Sequence, residues 1–233
     1  VTAGRPGAAL LAVAHGTRDQ AGADTMRELV ARIRAARPGA RVAMCWLGLR
    51  RPSVTDALAG RERGTVVVPL LLGTGYHLRA DLPALLSDAD DVLLARALGP
   101  DPLLARALAV RLAQAGRPPG PTPVVLAAAG SSEVRAIADT QEAAGLLAHR
   151  LGAPVVPAYL SGARTRPAEA VAALRAAGHR DVAVASYLLA PGFFADRLSA
   201  AGARWTARPL GALDMVAHLV WERFDEVSRC RTD

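Results

Sequence analysis

The feature that most constrains this chain is that it is written twice. Leu11-Ala12-Val13-Ala14-His15-Gly16-Thr17 resembles Val125-Leu126-Ala127-Ala128-Ala129-Gly130-Ser131, 114 residues on. Arg51-Pro52 resembles Arg166-Pro167 at an offset of 115, and Val66–Tyr76 resembles Val182–Phe193 with Gly75 meeting Gly192 at 117. Ala95–Gly99 resembles Ala207–Gly211 at 112. Four matches in the same order at nearly one offset describe a tandem duplication, and such self-similarity outranks any single motif in deciding architecture. Between the halves lies Gly116–Pro123, whose proline and glycine density reads as a stiff linker. The expected organisation is an N-terminal lobe over 1–115, a linker over 116–123 and a C-terminal lobe over 124–233.

Within each half, short apolar runs alternate with longer Ala/Leu/Arg stretches of helical period. In the first half, strands are expected at Ala9–Ala14, Val42–Leu47, Thr65–Leu71 and Val92–Ala95. Helices are expected at Gln20–Ala36, Pro52–Ala59, Arg79–Leu86 and Pro102–Ala115. The strand runs are continuously apolar rather than alternating, as a parallel sheet covered on both faces requires. The fold class that follows is α/β, with two tandem lobes, each a doubly wound four-stranded parallel sheet flanked by helices. In such sheets ligands sit beyond the carboxyl ends of the strands.

Composition removes several chemistries. All 28 basic residues are Arg, and the chain contains neither Lys nor Asn. A Walker-A loop lacks its Lys, a Schiff-base enzyme its amine and a protein kinase both its Lys and its Asn. The net charge of +7 comes without basic runs longer than Arg50-Arg51 and with aromatics at only 4%, which gives nucleic-acid binding little support. Cys45 and Cys230 form no CxxC pair, which argues against a zinc, cluster or disulfide framework. No apolar run approaches 18 residues, so no membrane span is expected. The segment around Gly7–Ala14 imitates a short signal peptide, but its near-copy in mid-chain argues against that reading, and the cytoplasm is the expected compartment.

Two histidines stand where a ligand is expected. His15 closes the first strand, and His77 follows the third after Gly73-Thr74-Gly75-Tyr76; both read as loop residues at the carboxyl edge of the sheet. A neutral imidazole there can ligate a divalent metal or accept a proton near pH 7. The second half has Ala129 and Phe194 at the aligned positions, so the fold does not need the histidines. His149, His179 and His218 read as surface or satisfied residues, and Trp46, Trp205 and Trp221 as packing residues.

The segments AHGTRD at Ala14–Asp19, RPSVTDAL at Arg51–Leu58 and VVPLLLGTGYHLRADLP at Val67–Pro83 resemble the class II chelatases, the sirohydrochlorin chelatases of the CbiX/SirB type in their long tandem form. The resemblance implies nucleotide-independent insertion of a divalent metal into sirohydrochlorin, in siroheme or cobalamin synthesis. It implies that His15 and His77 are both catalytic and metal-binding, with no tightly bound cofactor and with Fe2+ or Co2+ as substrate. The absence of a His-rich stretch and of cluster-binding cysteines, features of some long cobalt-associated members, favours Fe2+. Sirohydrochlorin is rich in carboxylates, and guanidinium pairs bidentately with carboxylate. Expected substrate contacts are therefore Arg18, Arg50, Arg51, Arg79 and Arg166, with Thr17, Gly75, Tyr76, Ser131 and Phe194 completing the cleft. One departure is Gly48, standing roughly where family members often carry an acidic residue. Two fused lobes already supply both walls, so a monomer suffices and a homodimer remains open.

Overall fold

A computed structural model describes residues 8–61 and 64–229; the stretch before Ala8, and Cys230, lie outside the described residues. The first half runs β1 (Leu10–Ala14), α1 (Gln20–Ala36), β2 (Val42–Trp46), α2 (Val54–Ala59), β3 (Val66–Leu70), a π-helical turn (His77–Asp81), α3 (Leu82–Leu86), β4 (Leu93–Leu94) and α4 (Pro102–Gln114). The second runs β5 (Val124–Ala128), α5 (Val134–Leu151), β6 (Val155–Tyr159), α6 (Pro167–Ala176), β7 (Ala183–Tyr187), α7 (Phe193–Asp196), a 3-10 turn (Arg197–Ala201), β8 (Trp205–Thr206) and α8 (Asp214–Arg229). The strands form two parallel sheets in the orders β2-β1-β3-β4 and β6-β5-β7-β8.

The continuous apolar strands are explained by two-sided burial. Leu10, Ala12 and Ala14 face the central core while Leu11 and Val13 face an outer cluster with Val54, Leu58 and Leu82. Val124, Leu126 and Ala128 repeat the inward pattern, and Val125 and Ala127 the outward one. Helix starts follow local chemistry. The Asp19 carboxylate accepts from Gly22 N at 2.8 Å to open α1, Ser53 and Asp56 form a reciprocal capping box on α2, and Asp101 with Pro102 opens α4. Caps of this kind are each worth about 1 kcal/mol.

The structure shifts one of the sequence correspondences. Trp46 N donates to Pro52 O and Tyr159 N to Thr165 O, so Arg166 stands opposite Ser53 rather than Arg51. It occupies the N-cap of α6, where the Glu169 carboxylate accepts from its backbone N–H. A guanidinium only donates, so Arg166 cannot complete the box as Ser53 does.

The two halves exchange their last helices. Helix α4 packs on β7 and α5, while α8 packs on α1, β3 and β4. One continuous core contains the inward faces of both sheets together with these four helices. Each exchanged helix is pinned by an arginine at the same position. Arg111 donates to Leu210 O at 2.8 and 3.1 Å, and Arg223 donates to Leu98 O at 2.7 Å and Ala97 O at 3.0 Å. Arg223 is 1% exposed and also meets the Asp101 and Glu226 carboxylates at 2.7 and 2.9 Å, where Arg111 meets the Gln114 amide at 2.8 Å. Trp221 Nε1 donates to Ile33 O, and Arg37 pairs with Asp225, adding to the hold of α8 on the first half. The connection over 116–123 is folded rather than extended: the buried Arg117 donates to the carbonyls of Pro118, Gly120 and Thr122. Among the described residues no helix is long and apolar enough to cross a membrane.

Candidate functional site

The carboxyl ends of β1, β3, β5 and β7 converge on one cavity of about 610 Å3 between the lobes. At its first corner the chain leaves β1 through His15 and turns at Gly16. The turn demands glycine: φ is +105°, and a Cβ would lie 2.0 Å from Gly48 O. Gly130 repeats this after β5, with φ +98° and a Cβ 2.5 Å from Ser161 O. The next residue in each case is a hydroxyl. Thr17 Oγ1 accepts from Asp19 N at 3.0 Å, and Ser131 Oγ accepts from Glu133 N at 3.1 Å, so these hydroxyls order the turns.

His77 opens the π-helical turn rather than sitting in a loop. The wider turn places Asp81 one turn on, with its carboxylate 2.5 Å from His77 Nδ1. A carboxylate accepts, so Nδ1 donates to it, and in the neutral ring the lone pair is left on Nε2. The His15 and His77 rings lie 4.4 Å apart, edge to face at 75°. Desolvation by the cavity walls holds the His15 pKa below its ordinary 6.5, opposed by a hydrogen bond with its own backbone; the neighbouring His77 lowers it further, and Asp81 acts in the raising direction. Two neutral imidazoles this close can share a divalent cation, or divide cation and proton between them.

The walls are apolar and aromatic. The chain has three each of Trp, Tyr and Phe, and five of these nine, Trp46, Tyr76, Tyr187, Phe193 and Phe194, line the cavity. In a chain so poor in aromatics that concentration suits a flat ligand. Tyr76 and Phe193 are 61% and 70% exposed at the mouth. Trp46 is buried as well as lining, so its packing role and its place in the wall coincide. Trp221 is a core residue, and Trp205 packs beside Gly116.

Of the residues singled out from sequence, His15, Thr17, Gly75, Tyr76, His77, Ser131 and Phe194 come together in this cavity. The arginines do not line it. Arg50 donates from Nε to Thr17 O at 2.6 Å and pairs with Gln20, which fixes the turn after His15. Arg51 pairs with Asp56 at 2.5 Å, Arg79 with Glu133 at 2.5 Å, and Arg166 donates to Leu160 O. Arg166 lines a separate shallow depression of about 730 Å3 beside the β6–α6 loop, with Arg164. Arg18 is exposed next to Thr17. The physical reason is common to the group: loop carbonyls and carboxylates at strand ends recruit the nearest guanidinium. Gly48 has nothing within 4 Å of where its Cβ would stand, and no cluster of three or more His, Cys, Asp or Glu occurs among the described residues.

Sequence reasoning missed Asp81, whose signal was its position four residues after His77 at the head of a helix. It also missed Asp139, Glu133 and Tyr187, which reach the His77 loop from the second lobe. Asp139 has no local signal, since an acidic residue in mid-helix reads as solvent-facing.

The CbiX family model matches residues 9–115 and again residues 123–227. Among solved structures, SirB from Bacillus subtilis with Fe3+ superposes with a TM-score of 0.79 at 22% identity, covering 96% of each chain. SirB from Bacillus subtilis subspecies spizizenii in complex with cobalt gives 0.73 at 19% identity, over 95% of each chain. CbiX, described as the terminal enzyme for siroheme biosynthesis in denitrifying bacteria, gives 0.70 at 24% identity, over 94% of this chain and 98% of that one. At these identities the likeness is one of fold. No curated protein matches the chain significantly.

Proposed function

Because the chain belongs to the CbiX family, whose model matches both of its halves, we propose that it inserts a divalent metal ion, Fe2+ by preference, into sirohydrochlorin without nucleotide hydrolysis. The observation that carries this reading is the pair of imidazoles 4.4 Å apart on one wall of an aromatic-lined cavity between two lobes. The same lobe assignment as in the sequence reading goes with it: residues 1–115 bring the histidines and residues 124–233 the opposite wall. Siroheme synthesis is the pathway that goes with iron.

Insertion must take two N–H protons from the macrocycle and hand a partly desolvated cation to four nitrogens. The low pKa of His15 keeps its lone pair free for the cation at neutral pH. His77 presents Nε2 while Asp81 holds Nδ1, an arrangement that fixes the ring's orientation whether it meets metal or proton. Tyr76, Phe193 and Phe194 pack on the macrocycle, and Thr17, Gly75 and Ser131 complete its bed. For the carboxylate rim the exposed Arg18 is foremost; Arg50, Arg51, Arg79 and Arg166 would have to exchange a protein partner for a substrate carboxylate.

Cobalt is the second reading, favoured by the cobalt complex of a SirB of the same fold. Two imidazoles do not by themselves choose between Fe2+ and Co2+. Purified protein mixed with sirohydrochlorin and each metal, followed by absorbance, tests the proposal. The expected result is insertion well above the spontaneous rate, fastest with Fe2+. Tetrapyrrole binding without any rate above the spontaneous one would leave a carrier in place of an enzyme.

A further inference from the structure

The second lobe has no histidine at the site, yet three of its residues reach across to the loop that carries His77. Asp139 Oδ2 accepts from Thr74 N at 2.7 Å, Tyr187 Oη donates to Leu72 O at 3.0 Å, and Glu133 pairs with Arg79 at 2.5 Å. These contacts fall on both sides of His77 in sequence. Asp139 is 2% exposed, and its other oxygen meets Arg135 at 3.1 Å. Tyr187 is buried too, and burial drives its pKa far up, so its hydroxyl stays a donor.

The duplication supplies an internal control. In the equivalent backbone positions Thr74 corresponds to Pro191, Asp139 to Thr25, Tyr187 to Leu70, Glu133 to Asp19 and Arg79 to Asp196. None of the three contacts can form on that side. Pro191 has no N–H to donate, Leu70 has no hydroxyl, and Asp19 and Asp196 carry the same sign. Thr25 turns its hydroxyl to Ala21 O, and Asp19 caps its own helix instead. Glu133 makes no side-chain cap on α5 and is released to Arg79. A contact set serving only cohesion between the lobes has no reason to be confined to one side of a pseudo-symmetric interface. Burying a carboxylate is also costly unless something holds it, and here Thr74 N and Arg135 do.

We infer that the second lobe is a clamp for the His77 loop, with Asp139 and Tyr187 as positioning residues that act across the lobe boundary to set His77 against its neighbour His15. This rests on the chelatase reading of the histidine pair. The clamp acts through His77: Asp139 lies outside the cavity lining, and Tyr187, which is part of that lining, spends its hydroxyl on Leu72 O.

The test uses the whole protein and four variants. Co2+ affinity and its visible spectrum are recorded without tetrapyrrole; kcat, KM and thermal midpoint are recorded separately. Asp139→Leu and Tyr187→Phe are expected to weaken Co2+ binding, change its spectrum and lower kcat by roughly 10²-fold at nearly constant KM, as a misplacement near 1 Å does. Asp139→Asn keeps an acceptor for Thr74 N and is expected to recover most of the loss. Thr74→Ala keeps the backbone donor and is expected to behave as wild type. Should Asp139→Leu not fold, Tyr187→Phe, which removes one oxygen, still decides. Variants that lower only the thermal midpoint, with Co2+ affinity, spectrum and kcat of the folded protein unchanged, overturn the clamp. A wild-type protein that binds Co2+ through the pair, responds to these variants and yet inserts no metal overturns the chelatase reading while sustaining the clamp.

Discussion

The two lobes share a backbone to within a few details at the cavity and differ almost completely in what they offer it. Gly16 and Gly130 turn with φ +105° and +98° against the carbonyls of Gly48 and Ser161. Thr17 and Ser131 each accept from the backbone N–H two residues on, Asp19 and Glu133, and order the two turns in the same way. Chemistry is present on one side only: His15 faces Ala129, His77 corresponds to Phe194, and Asp81 to Leu198. What is duplicated is what steric clash and unmet hydrogen bonds enforce. A side chain pointing into an open cavity is under no such constraint, so one copy could lose its imidazoles without losing its fold.

The largest effect should come from the side that kept them. His15→Ala and His77→Ala are each expected to lower kcat by ~10²–10⁴-fold with little change in thermal midpoint, measured by insertion rate and by thermal melts. Adding Ala129→His to a His15→Ala protein should restore nothing, since Phe194 and Leu198 stand where a partner imidazole and its carboxylate would be needed. Recovery by that double variant would mean that the lobes are interchangeable at the site.

The exchanged helices give a comparison in stability. Arg223 and Arg111 do the same work at equivalent positions, but Arg223 is buried with Asp101 while Arg111 donates to a carbonyl and an amide. Arg223→Leu leaves the Asp101 carboxylate without its partner and is expected to cost about 3–5 kcal/mol. Arg111→Leu should cost less, about 1–3 kcal/mol, the range for losing a donor to a carbonyl. Denaturant titration of each variant checks both values. Equal losses would show that the carboxylate adds nothing to the hold on α8.

How much of this was legible follows the same division. Strand and helix positions were readable because two-sided burial writes continuous apolar runs, and β1 and β3 fall within a residue of their expected limits at each end. The meeting of His15 and His77 was readable because parallel strands bring their carboxyl ends to one edge. The exchange of α4 and α8 was not, since an apolar helical face does not say which sheet it covers; only the recurrence of Arg111 at Arg223 hinted at it. The protein partners of the arginines were not legible, because charge pattern says nothing of which carbonyl lies nearby. Arg50, for example, is taken by Thr17 O from a residue 33 positions away. Asp139 was invisible because its partner is a backbone N–H 65 residues earlier, in the other lobe.

The smallest effect is expected from the proton equilibrium of His15, and it again separates the lobes. Desolvation lowers its pKa in the folded protein below 6.5, while the unfolded chain keeps the ordinary value. As pH falls through 6.5 the unfolded state therefore takes up the proton first. The stability tied to a neutral His15 is complete above 6.5 and is lost as pH falls from there toward the folded pKa. Because the ring is open to the cavity, the loss should be slight. The difference in thermal midpoint between wild type and His15→Ala should be constant from pH 7.5 to 6.5 and shift against wild type from 6.5 to 5, and Ala129 on the opposite wall contributes nothing to it. The same shift lets His15 hold Co2+ at pH 6.5, where an ordinary imidazole is half protonated. A Co2+ affinity that falls off at a higher pH than 6.5 would place the titrating group elsewhere than on His15.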